Sequence, residues 1–241
     1  MDKRYKKGDF VNDYSIIKMI GEGRYGIAYL AVNDKNEKVV VKQLKKNMID
    51  KTKDKIFYEE QILSNLKYSC FPKFIANFAD NDKVGYILEY VEGDVFETII
   101  RKGKYKFTRN IIYDICKKLL DLVEILHKNN IVHRDVRLPN VILKENNELA
   151  LIDFGLARFI DEKNREQIDY WYIGDFLVHL YYSSYEEDSN EENDEEEPWY
   201  EELDLNHDEK IFLKRLMNID GSYKNIEEIR LQLNKLKNYN K

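Results

Sequence analysis

Apolar and polar positions alternate through YSIIKMI, GIAYLAV and EKVVVKQL in the first third of the chain, with Gly-rich or Asn/Asp turn segments between them. A period of two over runs of this length predicts three antiparallel strands. Over residues 50–66 the spacing changes, and Ile56, Ile62, Leu63 and Leu66 recur at helical intervals. Apolar runs at 74–78 and 84–90 then read as strands again, so the expectation for this region is five strands and one helix. Beyond Gly93 the pattern becomes mostly helical, with a short helix near 94–101 and a long one over 109–129. The stripe of the long helix is Ile111, Ile112, Ile115, Cys116, Leu119, Leu120, Val123 and Leu126. VIL at 141–143 and LALI at 149–152 flank the turn sequence KENNE and predict a hairpin, while 167–183, 207–217 and 225–237 are again helical by period. No internal repeat is visible. The pattern changes near residue 91, dividing the chain into a β-rich part, 1–90, and a helical part, 91–241.

Composition narrows the class. The chain has 241 residues, 43% of them hydrophobic and 35% charged, with Gly 10 and Pro 3, which is the profile of a folded globular protein. No run approaches the ~18 apolar residues of a membrane span, and no nucleic-acid motif accompanies the bases, so neither membrane nor nucleic acid is an expected partner. Cys70 and Cys116 have no metal or redox spacing, which predicts inert thiols and a reducing, cytoplasmic setting. The formal net charge of −6 is local in origin. Residues 186–197 (EEDSNEENDEEE) hold nine acids and no base, and the remainder of the chain is net +3. The run reads as a solvated loop, or as a recruitment site for a basic partner.

Candidate chemistry begins with Gly21, Gly23 and Gly26 in GEGRYGIA, between the first two predicted strands. Without side chains there, backbone N–H groups can approach a polyphosphate. The loop leads from strand to strand, which excludes a dinucleotide fingerprint, because that needs a helix N-terminus after the glycines. Lys42 ends the apolar run VVVK, where an ammonium is costly unless something negative meets it. Glu59, three residues after Ile56 and four before Leu63, lies on the buried face of the predicted helix and is a suitable partner. Glu60 is nearly as well placed, and periodicity does not choose between them. Two motifs complete the set: HRDVRLPN at 133–140, directly after the long helix, and IDFG at 152–155, after the hairpin.

Together with the Gly-rich loop, VVVK and Glu59, these motifs resemble the protein-kinase superfamily, in the same order and across nearly the whole chain. The resemblance implies an α+β, two-lobed fold, with a β-rich upper lobe over 1–90, a helical lower lobe over 91–241 and Mg·ATP in the cleft between them. It also implies transfer of a γ-phosphate, a reaction in which cations offset charge developing on the phosphoryl oxygens while an acceptor hydroxyl is held in line. By this likeness Asp135 orients the acceptor hydroxyl or takes its proton, and Asn140 and Asp153 ligate Mg²⁺. Lys42, fixed by Glu59, holds the α- and β-phosphates. Arg137, where many members have Lys, reaches the γ-phosphate. His133 is implied to pack under Phe154, and Asp169 of DYWYIG to accept hydrogen bonds from the catalytic-loop backbone. YILEYVEGDVF (86–96) resembles the inter-lobe hinge, with Leu88 as gatekeeper, backbone groups of Glu89 and Val91 against adenine, and Asp94 on the ribose. Ala28 and Val40 would roof the adenine with their usual sizes exchanged, and Ile142 would floor it. On periodicity alone those three are ordinary core.

One stretch departs from the family. Only sixteen positions separate Asp153 from Asp169, with no APE-like motif and no length for a full activation and peptide-docking segment. Arg134 is accordingly expected to lack a phosphorylated partner there. Three functions fit: a compact Ser/Thr protein kinase that docks its protein substrate through other surfaces, a small-molecule kinase, or a non-catalytic ATP-binding scaffold. The Arg of HRD and the terminal segments IFLKRLMNID and SYKNIEEI favour the first. The presence of Lys42, Glu59, Asp135, Asn140 and Asp153 speaks against the last.

Overall fold

Strand pairing decides what the alternation in GIAYLAV and KVVVKQL buries. The computed structural model describes residues 3–23, 26–46, 58–80, 82–103, 105–184 and 197–239, divided into a unit Met1–Glu92 and a unit Gly93–Lys241. Ile56 and the acidic stretch 186–196 lie outside the described residues, and so does the expectation of a basic partner there.

In the first unit, strands β1 (Phe10–Val11), β2 (Tyr14–Glu22), β3 (Gly26–Val32) and β4 (Lys38–Leu44) precede a helix described over 58–65 (α1). Strands β5 (Phe74–Asp80) and β6 (Lys83–Glu89) follow it. All six strands form one antiparallel sheet in the order β1-β2-β3-β4-β6-β5. The expected count of five is corrected here. Phe10–Val11 pairs with Ser15 and Tyr14, and a two-residue strand carries no period to read.

The register opposes Ala28 to Lys42 and Lys42 to Tyr86, and likewise Leu30 to Val40 and Val40 to Leu88. Directly opposed residues share a face, so these six lie on one side of the sheet. The other side carries Ile27, Tyr29, Ala31, Val39, Val41 and Ile87, which join Tyr5, Val11, Ile16 and Phe78 in a buried apolar cluster. The N-terminal segment is tied to this side. The Tyr5 amide donates to Tyr29 Oη at 3.2 Å, the Tyr29 hydroxyl to Gln43 Oε1 at 3.2 Å, and Gln43 Nε2 to the Lys3 carbonyl at 2.9 Å.

In the second unit, β7 (Asp94–Val95) leads into α2 (Phe96–Arg101) and α3 (Arg109–Lys128), followed by β8 (Ile131–Val132), the hairpin β9 (Val141–Leu143) and β10 (Leu149–Leu151), and β11 (Arg158–Phe159). Helices α4 (Gln167–Tyr182), α5 (Trp199–Glu202), α6 (His207–Leu216) and α7 (Ile226–Tyr239) complete it. The helix expected from residue 94 starts at 96, because Asp94 and Val95 instead pair with Leu143 and Ile142. Gly93 makes that entry possible. Its φ is +137°, and a Cβ there would fall 2.5 Å from Ile142 Cγ2 and from the Leu143 carbonyl oxygen.

The long stripe of α3 is the core of this unit, with Ile112, Cys116, Leu119, Leu120, Val123 and Leu126 at most 1% exposed. Buried Glu209 of α6 joins three helices. It accepts from Arg109 Nε at 3.1 Å, from Tyr181 Oη at 3.0 Å and from the hydroxyl of Tyr113.

Candidate active site

Lys42 sits on the sheet face opposite the apolar cluster, with an acid directly in front of it. Its ammonium meets Glu59 Oε1 of α1 at 2.9 Å, and Glu59 is 1% exposed. Removing the lysine alone would leave that carboxylate's charge buried, a loss typically of about 3–5 kcal/mol. Glu60 faces elsewhere and accepts from Asn77 Nδ2 at 3.0 Å, so the geometry makes the choice that periodicity left open. Glu59 Oε2 accepts from the hydroxyl of Tyr86 at 2.5 Å, a contact the sequence reading missed. Its only signal would have been the register of β4 on β6, two strands about forty residues apart in the chain.

Ala28, Val40 and Leu88 share this face with Lys42. Gly21 pairs with Ala28 at the end of β2, and the Gly23 amide donates to the Gly26 carbonyl at 2.9 Å. A Cβ at Gly26 would lie 2.5 Å from the Gln43 carbonyl oxygen, so only glycine fits there. Beside the turn, Glu22 is held by Arg4 at 2.8 Å and by Lys45 at 2.9 Å. At the end of β6 the Glu89 amide donates to the Lys73 carbonyl at 2.8 Å, and its carboxylate accepts from Lys73. Val91 is half-buried just beyond.

In the second unit the HRDVRLPN loop closes on itself. Asp135, 6% exposed, accepts from Arg137 Nε and, at 3.1 Å, from Arg137 Nη2. Asn140 Nδ2 donates to Asp135 Oδ2 at 2.7 Å and to the Asp135 carbonyl at 3.0 Å. Arg137's own hydrogen bond to Asp135 raises its pKa above the ordinary guanidinium value. The Ile152 amide donates to the Asn140 carbonyl at 2.9 Å, bringing the strand that carries Asp153 onto the loop. Asp153 has φ +64° and ψ +73°, a left-handed conformation uncommon outside glycine and a form of local strain that concentrates at functional sites.

Behind the loop, Asp169 is fully buried and accepts from the His133 amide at 3.0 Å and the Arg134 amide at 2.7 Å, with His127 Nε2 2.9 Å from its Oδ2. Arg134 itself has φ +66°, a conformation this pair of hydrogen bonds holds in place. The His133 ring packs edge-on against Phe154 with centroids 4.7 Å apart. Neither ring nitrogen meets a hydrogen-bond partner among the described residues, and burial pushes the imidazole pKa down. A neutral, enclosed ring is a packing element and not a proton carrier. Tyr172 of α4 borders the same loop. Burial first, then the charge of Asp135, pushes its phenol pKa up.

The segment after Asp153 is short and tied down. Arg158–Phe159 pairs with Ile131–Val132, the Ile160 amide donates to the Asn130 carbonyl at 2.9 Å, and Asp161 Oδ1 accepts from the Lys163 and Asn164 amides at 2.8 and 2.7 Å. Ile142 is buried in β9 at 5% exposure. Asp94 is exposed, and its carboxylate is 3.2 Å from Lys102 Nζ.

The described residues thus hold two constellations, an ammonium–carboxylate pair on a sheet face and an Asp–Arg–Asn loop anchored by a buried aspartate. The chain belongs to the protein kinase family: the family model described as "Protein kinase domain" matches residues 14–200. It is 32% identical to the "Probable serine/threonine-protein kinase YbdM" of Bacillus subtilis over 97% of this chain and 93% of that protein. It is also 32% identical to the "Probable serine/threonine-protein kinase 2" of Plasmodium falciparum over 63% of this chain, but there it spans only 30% of the longer protein. Among solved structures, the kinase domain of PknI from Mycobacterium tuberculosis matches with a TM-score of 0.71 at 15% identity, covering 98% of this chain and all of that one. The fold is thus the α+β protein-kinase fold, and the chain is a protein-kinase-like phosphotransferase.

Proposed function

We propose that the chain is a Ser/Thr protein kinase that moves the γ-phosphate of Mg·ATP to a hydroxyl of a protein. The observation that carries the reading is the loop of the second unit, where Asp135 is oriented by Arg137 and Asn140 and the loop backbone hangs on Asp169. In this reading Asp135 would align the acceptor hydroxyl and receive its proton, and Arg137 would share its charge between Asp135 and the transferring phosphoryl group.

The donor set suits a hard cation. Asp153 offers carboxylate oxygens, and Asn140, whose Nδ2 is engaged with Asp135, offers its Oδ1. Bound there, Mg²⁺ would supply positive charge against the phosphoryl oxygens.

In the first unit, Lys42, held by Glu59, would bind the α- and β-phosphates over Gly21, Gly23 and Gly26. Ala28, Val40 and Leu88, on the same sheet face as Lys42, would lie against adenine, and Ile142 is the further adenine contact that the family likeness implies. Glu89 uses its amide on Lys73, so its contact with adenine would fall to the carbonyl, beside the backbone of Val91. Asp94 would exchange Lys102 for the ribose. Burial pushes the Cys116 thiol up to about 12, in keeping with the inert thiol expected from the sequence. No helix among the described residues is long and apolar enough to cross a membrane.

The test incubates the purified chain with γ-labelled Mg·ATP and a cell lysate, beside Asp153→Asn and Asp135→Asn. Label on Ser or Thr of proteins, lost by about a hundredfold or more in both variants, is the expected result. Nucleotide affinity should survive in Asp135→Asn. Label confined to small molecules would instead make the short segment after Asp153 an entrance for a small acceptor, and undiminished transfer by Asp135→Asn would refute the mechanism.

A further inference from the structure

Glu59 is almost fully buried, and both of its oxygens are engaged from the same face of the sheet. Lys42 takes Oε1 at 2.9 Å, and the Tyr86 hydroxyl donates to Oε2 at 2.5 Å. Tyr86 lies directly opposite Lys42 in the β4–β6 register, and the ammonium is 5.5 Å from the centre of its ring. The ring is itself fixed by Phe74, stacked at 6.0 Å with 16° between planes, and Tyr86 is 6% exposed. Three groups thus form a closed arrangement in which a tyrosine from β6 sets the angle at which α1 presents its carboxylate to the lysine of β4.

Packing alone does not call for the hydroxyl. Phenylalanine would fill the same space and keep the contact with Phe74, but it would leave Oε2 of a buried carboxylate without this donor, at a cost that falls on the orientation of the charged pair.

We propose that Tyr86 is a positioning residue for phosphoryl transfer: its hydroxyl holds the Glu59 carboxylate in the rotamer that meets Lys42, so that the sheet itself sets the pair. The inference rests on the reading of Lys42 and Glu59 as the phosphate-binding pair of a kinase. It gives this chain a means of aligning the pair that lies within the first unit and owes nothing to the sixteen-position segment after Asp153.

The experiment is a double-mutant cycle on the full chain: kcat and KM for Mg·ATP in the natural sequence, Tyr86→Phe, Glu59→Gln and the double variant, with thermal unfolding of each followed by circular dichroism. Loss of one hydrogen bond to a charged group predicts that Tyr86→Phe lowers kcat about tenfold in the natural background. In the Glu59→Gln background the same change should lower it by less than about twofold, because the carboxylate it serves is gone. If the phenylalanine chain does not fold, Tyr86→Leu, which also lacks the hydroxyl, repeats the comparison. A natural chain that transfers phosphate while Tyr86→Phe is as fast, or an equal loss in both backgrounds, overturns the role of Tyr86 and leaves the kinase reading standing. A natural chain that transfers nothing overturns both.

Discussion

The two halves of the proposed catalytic equipment are built on opposite scales. Asp135 is oriented by Arg137 and Asn140, two and five residues further along the chain, whereas Lys42 is met by Glu59 seventeen residues away and, through Glu59, by a tyrosine a further twenty-seven along. A loop that closes on itself can be recognised as a string of letters, while a lysine on a strand gains its meaning only when two distant segments pack against it. The loop also has long-range support, above all from Asp169, which lies thirty-six and thirty-five residues from the amides it receives.

That support is where the contrast can be broken. Asp169→Ala removes a buried acceptor from the His133 and Arg134 amides and from His127. It should cost about 3 kcal/mol or more of stability and lower kcat at least about tenfold, read by urea unfolding and steady-state turnover. A variant that keeps its activity would show that the short contacts around Asp135 are sufficient alone.

A smaller effect follows from His133. Burial lowers the pKa of its imidazole in the folded chain, while the unfolded chain binds a proton near the ordinary value of 6.5. Below that pH the unfolded state takes up a proton that the folded state refuses. The contribution is therefore complete above about 6.5 and is lost as the pH falls, with a limiting slope of about 1.4 kcal/mol per pH unit. Urea unfolding at stepped pH should show a shallower acid slope in His133→Phe, and equal slopes would remove the neutral, packed histidine from the account.

The smallest effect sharpens the other half. Among the described residues Glu60 makes one side-chain hydrogen bond, with Asn77, and Glu60→Gln should change stability by no more than about 0.5 kcal/mol with turnover unaltered. A loss matching that of Glu59→Gln would mean that α1 is held as a whole and not through one carboxylate.

The difference in scale also explains what could be read before folding. The stripe of α3 is visible because a helix repeats within four residues, and the hairpin at 141–151 because its strands are joined by a short turn. The pairs β1, β8 and β11 and the one-turn helix α5 passed unseen, since two to four residues show no period. Asp94 and Val95 were read as helix because the strand they join, β9, lies almost fifty residues further along.

By itself the sequence showed the stripe of α3, the hairpin at 141–151 and the change from strand to helix patterning near residue 91, and it offered Asp135, Asn140 and Asp153 as candidates through two short motifs. Each of these was legible from residue type and spacing over a short stretch of chain. Tertiary structure alone decided that Ala28, Val40 and Leu88 share a face with Lys42 while Ile27, Val39 and Ile87 build the core, that Glu59 and not Glu60 is the partner, and that Tyr86 completes the pair. A shift of one residue in strand register exchanges the two faces of a sheet, and that register is set by packing between segments far apart in the chain.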